Sequence, residues 1–215
     1  MEKFASADYT VGKLNAIVKR MRKQGGTDGV EKFLRGELVL AQPNREWREQ
    51  DGVIYLRITS DGTTGPDWIT RLEKKGYHIH PIAKQILLSR DFKPTSGVIS
   101  EVAILKGGLF EENHRSTELI RNAAKDRKFQ TLNAEIACLI REKLTDEEIE
   151  AMGLKSVVVM HEPISDFEYE MQLLTLESKD DYCTLTWSHP DPGIGWLQSD
   201  GFAFAASEVI FSNPH

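Results

Sequence analysis

The strongest constraint on the fold is a change of hydrophobic period near residue 161. Before it, from Val53 to Met160, short β-type runs alternate with segments of helical period; after it, helical period disappears. Residues 53–59 place Ile54, Leu56 and Ile58 on one face, as a half-buried strand requires. Residues 66–75 turn Trp68, Ile69 and Leu72 to one side of a helix that Gly76 ends. A short strand is expected at 77–79 and a short helix at 81–88. After the DFKPTSG loop come a strand at 98–105 and helices at about 114–127 and 133–143. Thr145 and Glu148 have the spacing of a capping box, in which each side chain satisfies an otherwise unpaired backbone N–H. That helix leads through Met152-Gly153 into the apolar strand 157–160. Strands are expected at 171–176, 182–188 and 202–206. Alternation followed by a run of strands specifies an α+β fold, with a mixed sheet flanked by helices and a β-rich C-terminal part.

The chain starts differently. Thr10 caps a helix carrying Leu14, Ile17, Val18 and Met21 at helical spacing, and Gly25-Gly26 stops it. Thr27 caps a second, short helix with Val30, Phe33 and Leu34 inward. A strand follows at 37–41, and Gln42-Pro43-Asn44 makes a boundary turn. The expected organisation is a helical N-terminal segment, 1–41, on an α+β domain, 42–215.

Charge and composition narrow the function classes. With 40% hydrophobic and 28% charged residues, the chain matches an ordinary soluble protein. No apolar run approaches the roughly 18 residues that span a bilayer, and the first residues lack the apolar core of a signal peptide. Two cysteines, Cys138 and Cys183, with no CxxC spacing, exclude a zinc ribbon or a disulfide framework. A reducing, cytoplasmic setting is expected. The net charge of −6 is unevenly spread: residues 161–215 carry ten acids against Lys179 alone. The first helix instead carries Lys13, Lys19, Arg20, Arg22 and Lys23. Two helices joined by Gly-Gly echo a helix-turn-helix, but the overall acidity argues against nucleic acid. A solvated basic face, or a dock for the acidic C-terminal third, is the expectation.

The segments VIYLRITSDGTTGPDWITRLEKKGY, DFKPTSGV, NAEIACLIREKLTDEEIEAMGL and MHEPI occur in order. In these the chain resembles a family of uncharacterised bacterial proteins. The resemblance brings no activity, ligand, cofactor or catalytic residue with it.

Two segments hold the chemistry-bearing side chains. Ser60, Asp61, Gly62, Thr63, Thr64 and Gly65 join a strand to a Pro-started helix, where free N–H groups and hydroxyls can receive an anion. Asp61 opposes that use, and the same residues make a tight turn with Thr64 as helix cap. The loop is neither a Walker sequence nor GxGxxG. His161, Glu162 and Asp166 follow an apolar strand, where acid–base groups are often placed. Neighbouring strand residues face opposite ways, however, so His161 and Glu162 share a site only if the strand has ended. His78 and His80 lie on one strand face without a third ligand, so no metal site is assigned. Cys138 sits among Ile136, Leu139 and Ile140 as a core residue, and Cys183 shares a strand face with Leu185 and Trp187. The loop WSHPDPGIGWLQSDGFAF combines aromatic and acidic groups that suit a cationic ligand or simply plug a sheet edge. The leading expectation is a non-catalytic module binding a small anionic ligand or a protein partner. The alternatives are an enzyme of phosphorylated or nucleotide-like small molecules and a nucleic-acid-associated protein.

Overall fold

In the computed structural model, which describes residues 17–22, 25–38, 45–112, 115–179, 182–193 and 195–206, the two periodicities become two kinds of layer. The chain forms two units, Met1–Arg45 and Glu46–His215. In the first, residues 17–22 are helical and α1 spans Gly29–Leu34. Asp28, not Thr27, occupies the cap position of α1, and Phe33 and Leu34 are exposed rather than inward. Glu37 and Leu38 donate their N–H groups to the Lys32 carbonyl in a turn. The rest of the strand expected at 37–41, the Thr10 cap and the basic residues Lys13 and Lys23 lie outside the described residues.

The second unit runs β1 (Trp47–Gln50), β2 (Val53–Asp61), α2 (Gly65–Lys74), β3 (His78–Ile79), α3 (Pro81–Leu88) and β4 (Ser96–Lys106). A 3-10 turn (Gly107–Leu109) precedes α4 (Thr117–Asp126), α5 (Glu135–Lys143) and α6 (Asp146–Ala151). The last elements are β5 (Ser156–Val159), β6 (Ile164–Ser165), β7 (Met171–Lys179), β8 (Tyr182–Ser188) and β9 (Asp200–Ala205). The fold is α+β around a nine-stranded mixed sheet of order β1-β2-β4-β9-β5-β7-β8-β3, with β6 pairing β7. Pairs are antiparallel except β5 with β9 and β3 with β8. The Thr145–Glu148 capping box forms and starts α6. No helix among the described residues is long and apolar enough to cross a membrane.

Strand alternation splits the core in two. Ile54, Leu56, Val157, Val159 and Leu174 face one side, where Trp68 and Leu72 of α2, Ile86 of α3, Ile140 of α5 and Ile149 of α6 cover them. Val53, Ala103, Val158, Met160 and Phe202 face the other, covered by Ile120 and Ala124 of α4 and by Trp196. Burial on both faces removes a large apolar area from water, at about 25 cal/mol per Å². Cys138 is fully buried on α5, and burial pushes its thiol well above the ordinary range. The side chain of Cys183 lies outside the described residues. Within the long loop before β9, Trp196 packs edge-on to Phe202 with ring centroids 5.5 Å apart, and its indole N–H donates to the Thr117 hydroxyl. Those aromatics therefore plug the sheet face.

Strand direction positions everything that follows. Combining the pairings, β2, β9, β5, β8 and β3 all run the same way. Their C-terminal ends share one edge of the sheet, the edge at which α/β arrangements commonly place ligands. The residues after β2 and after β5 both emerge there. At about 4.8 Å per strand, the three steps from β2 to β5 separate them by roughly 14 Å.

Candidate functional site

The loop after β2 is held together from within. The Asp61 carboxylate accepts from the Thr63 N–H at 3.1 Å and the Thr63 hydroxyl at 2.5 Å, and it pairs with Arg71 at 2.5 Å. Those bonds, the Thr63 hydroxyl first and Arg71 next, hold its pKa at about 2. The Gly62 N–H goes to the Thr95 carbonyl, and the Thr64 hydroxyl to Asp67. Ser60 is buried; it accepts the Val98 N–H at 3.1 Å and lies 2.8 Å from the Thr95 hydroxyl. Thr95 also sends its N–H and its hydroxyl to the buried Glu135 carboxylate. A hydroxyl has one proton, so Thr95 shares its own between Glu135 and Ser60, while the Ser60 hydroxyl donates to the Val98 carbonyl at 3.4 Å. Gly65 packs directly on α3: a Cβ there would stand 1.8 Å from the Leu87 carbonyl oxygen. The Gly62 and Thr63 N–H groups and the Ser60, Thr63 and Thr64 hydroxyls are thus engaged within the protein, several of them in joining the ITSDGTTG, DFKPTSGV and NAEIACLIREK segments.

The segment after β5 disperses its three polar residues. His161 is 1% exposed. Its Nε2 accepts the Leu174 N–H at 2.9 Å, so Nδ1 carries the proton and donates to the Glu162 carbonyl at 2.6 Å. Burial, only partly offset by that carbonyl, lowers its pKa to about 4 and keeps the ring neutral. Asp166 caps the β6–β7 turn by accepting the N–H groups of Glu168 and Glu170. Of the three, Glu162 alone lines a cleft.

That cleft, of about 350 Å³, lies at the shared strand-end edge on the α4 side of the sheet. Arg121 and Lys125 enter it from α4, one helical turn apart. Glu162 and Pro163 form another wall, with Pro190 beside them, and Phe129 and Phe204 supply aromatic surface. Arg121 Nη2 donates to the His161 carbonyl at 3.0 Å, so the buried histidine and the cleft share one peptide. Burial depresses the basicity of Arg121, and the Glu162 charge acts against that depression. No salt bridge joins the two side chains. None of residues 60–65 lines this cleft.

No family model, no curated protein and no solved structure matches the chain. The assignment of a site therefore rests on the geometry. Among the described residues, no group of three or more His, Cys, Asp or Glu side chains can hold a metal ion. His80 is spent as the cap of α3, its Nδ1 accepting the Ile82 N–H. Another groove, of about 690 Å³, lies at the opposite sheet edge and includes Lys106, Arg115 and Lys155; Lys106 is already paired with Glu49.

Of the cleft's charged residues, sequence reasoning marks only Glu162. Arg121 and Lys125 carry one available signal: each directly follows a buried residue of α4, Ile120 and Ala124. They therefore flank the apolar stripe rather than lie opposite it.

Proposed function

We propose that the protein is a non-catalytic, cytoplasmic binding module of bacterial type, and that it takes a small anionic ligand in the cleft beside α4. The observation that carries this reading is the state of Arg121. Its guanidinium is half-buried and loses basicity through lost hydration, yet only Nη2 has a protein acceptor among the described residues. A partly desolvated cation with uncommitted donors is stabilised by an anion that supplies both charge and acceptors. Lys125 adds a second positive charge, and the aromatic and proline surfaces suit an apolar ligand body. Binding without turnover is favoured because His161, the strongest acid–base candidate, is neutral, enclosed and bonded through both ring nitrogens.

Isothermal titration with a panel of small carboxylates and inorganic phosphate tests the reading. At least one should bind, and Arg121→Ala should weaken it by about tenfold or more, the loss of a charge-assisted pair. Equal affinity in the variant would remove the cleft from consideration.

A further inference from the structure

Glu162 is the feature that a site for a simple anion does not explain. It stands in the same cleft as Arg121 and Lys125, and its charge reaches Arg121 without a salt bridge. An anion bound to Arg121 would meet this carboxylate across a small space, and repulsion would offset part of its attraction. A ligand with a positive group next to its anionic group reverses the sign of that term.

We infer that the ligand is a zwitterion of free α-amino acid type with an apolar side chain: its carboxylate is held by Arg121 and Lys125, its ammonium by Glu162. This rests on the cleft being the binding site, as proposed above. The chemistry matches at each wall. A guanidinium with several uncommitted N–H groups suits a carboxylate, which accepts two parallel bonds. Its remaining bond, to the His161 carbonyl at 3.0 Å, limits how far that guanidinium can swing. Glu162 is exposed toward the opening and offers acceptors only, as an ammonium requires. Phe129, Phe204, Pro163 and Pro190 leave an apolar path for a side chain. A volume of about 350 Å³ is at the small end of ligand sites, near ~300 Å³, and suits an amino acid better than a nucleotide.

The test compares L-leucine, L-methionine and L-phenylalanine with their des-amino carboxylates by calorimetric titration, with inorganic phosphate as a third arm. The account expects at least one amino acid to bind about tenfold or more tighter than its des-amino partner. Glu162→Gln, a change at an exposed side chain, should erase that preference and raise the des-amino carboxylate's affinity, because the repelling charge is gone. Carboxylates or phosphate binding as tightly as the amino acids, or a preference that Glu162→Gln leaves intact, overturns the zwitterion and leaves the small-anion reading standing. If none of the three arms binds, both fall together.

Discussion

His161 illustrates how one residue serves the core and the site by different atoms. Its ring closes the end of β5 against β7, while its carbonyl orients Arg121. The ring's depressed pKa has a defined consequence for stability. In the unfolded chain a histidine titrates near 6.5, in the native protein at about 4. Below about pH 6.5 the unfolded state binds the extra proton, so stability is complete above that value and falls as pH drops toward 4. The full loss is on the order of 3 kcal/mol. Urea unfolding should show it between pH 7 and 4, and His161→Gln should flatten the profile there, at lower overall stability. Asp61 falls in a different window, because its native pKa of about 2 makes its contribution disappear only below about pH 4. A wild-type profile that is level from pH 7 to 4.5 would contradict the buried neutral ring.

At the scale of elements, the junction between β2 and α2 separates packing from ligand chemistry. Gly65 belongs to the turn that the sequence offers as an anion site, yet the structure gives it a neighbour: the Leu87 carbonyl at the end of α3 occupies the place of a side chain. Gly65→Ala is therefore expected to cost about 3 kcal/mol or more, since two helices must move apart. Asp61→Asn, at an exposed ion pair, should cost less than about 1 kcal/mol. Chemical denaturation of the two variants checks the contrast, and an unchanged midpoint for Gly65→Ala would return the loop to the list of ligand sites. Elements governed by local rules were readable in the sequence. Thr145 and Glu148 announce α6, and Ile54, Leu56 and Ile58 announce β2, because caps and alternation act within a few residues. Strand β1 was not, since only Trp47 of its four residues is buried and no alternation marks it.

Across the whole molecule, what the sequence withheld was neighbourhood. The last strand among the described residues, β9, lies in the interior of the sheet between β4 and β5, and β3 lies at its far edge beside β8. No local pattern encodes such pairings, because they join segments distant in the chain. The cleft is hidden for the same reason: Glu162 follows β5, while Arg121 comes from α4, forty-one residues earlier and across a sheet face. The central claim is that ligand is received there and not at the loop after β2, some 14 Å along the same edge by the ~4.8 Å strand spacing. The most direct measurement is a titration with L-leucine and with inorganic phosphate, followed by NMR on the isotope-labelled protein. The account predicts that the Arg121 side-chain Nε–H resonance and the backbone amides of residues 121–125, 129–131 and 162 shift in a saturable way, while residues 60–65 stay still. Saturable shifts centred on residues 60–65, or none around Arg121, would contradict it.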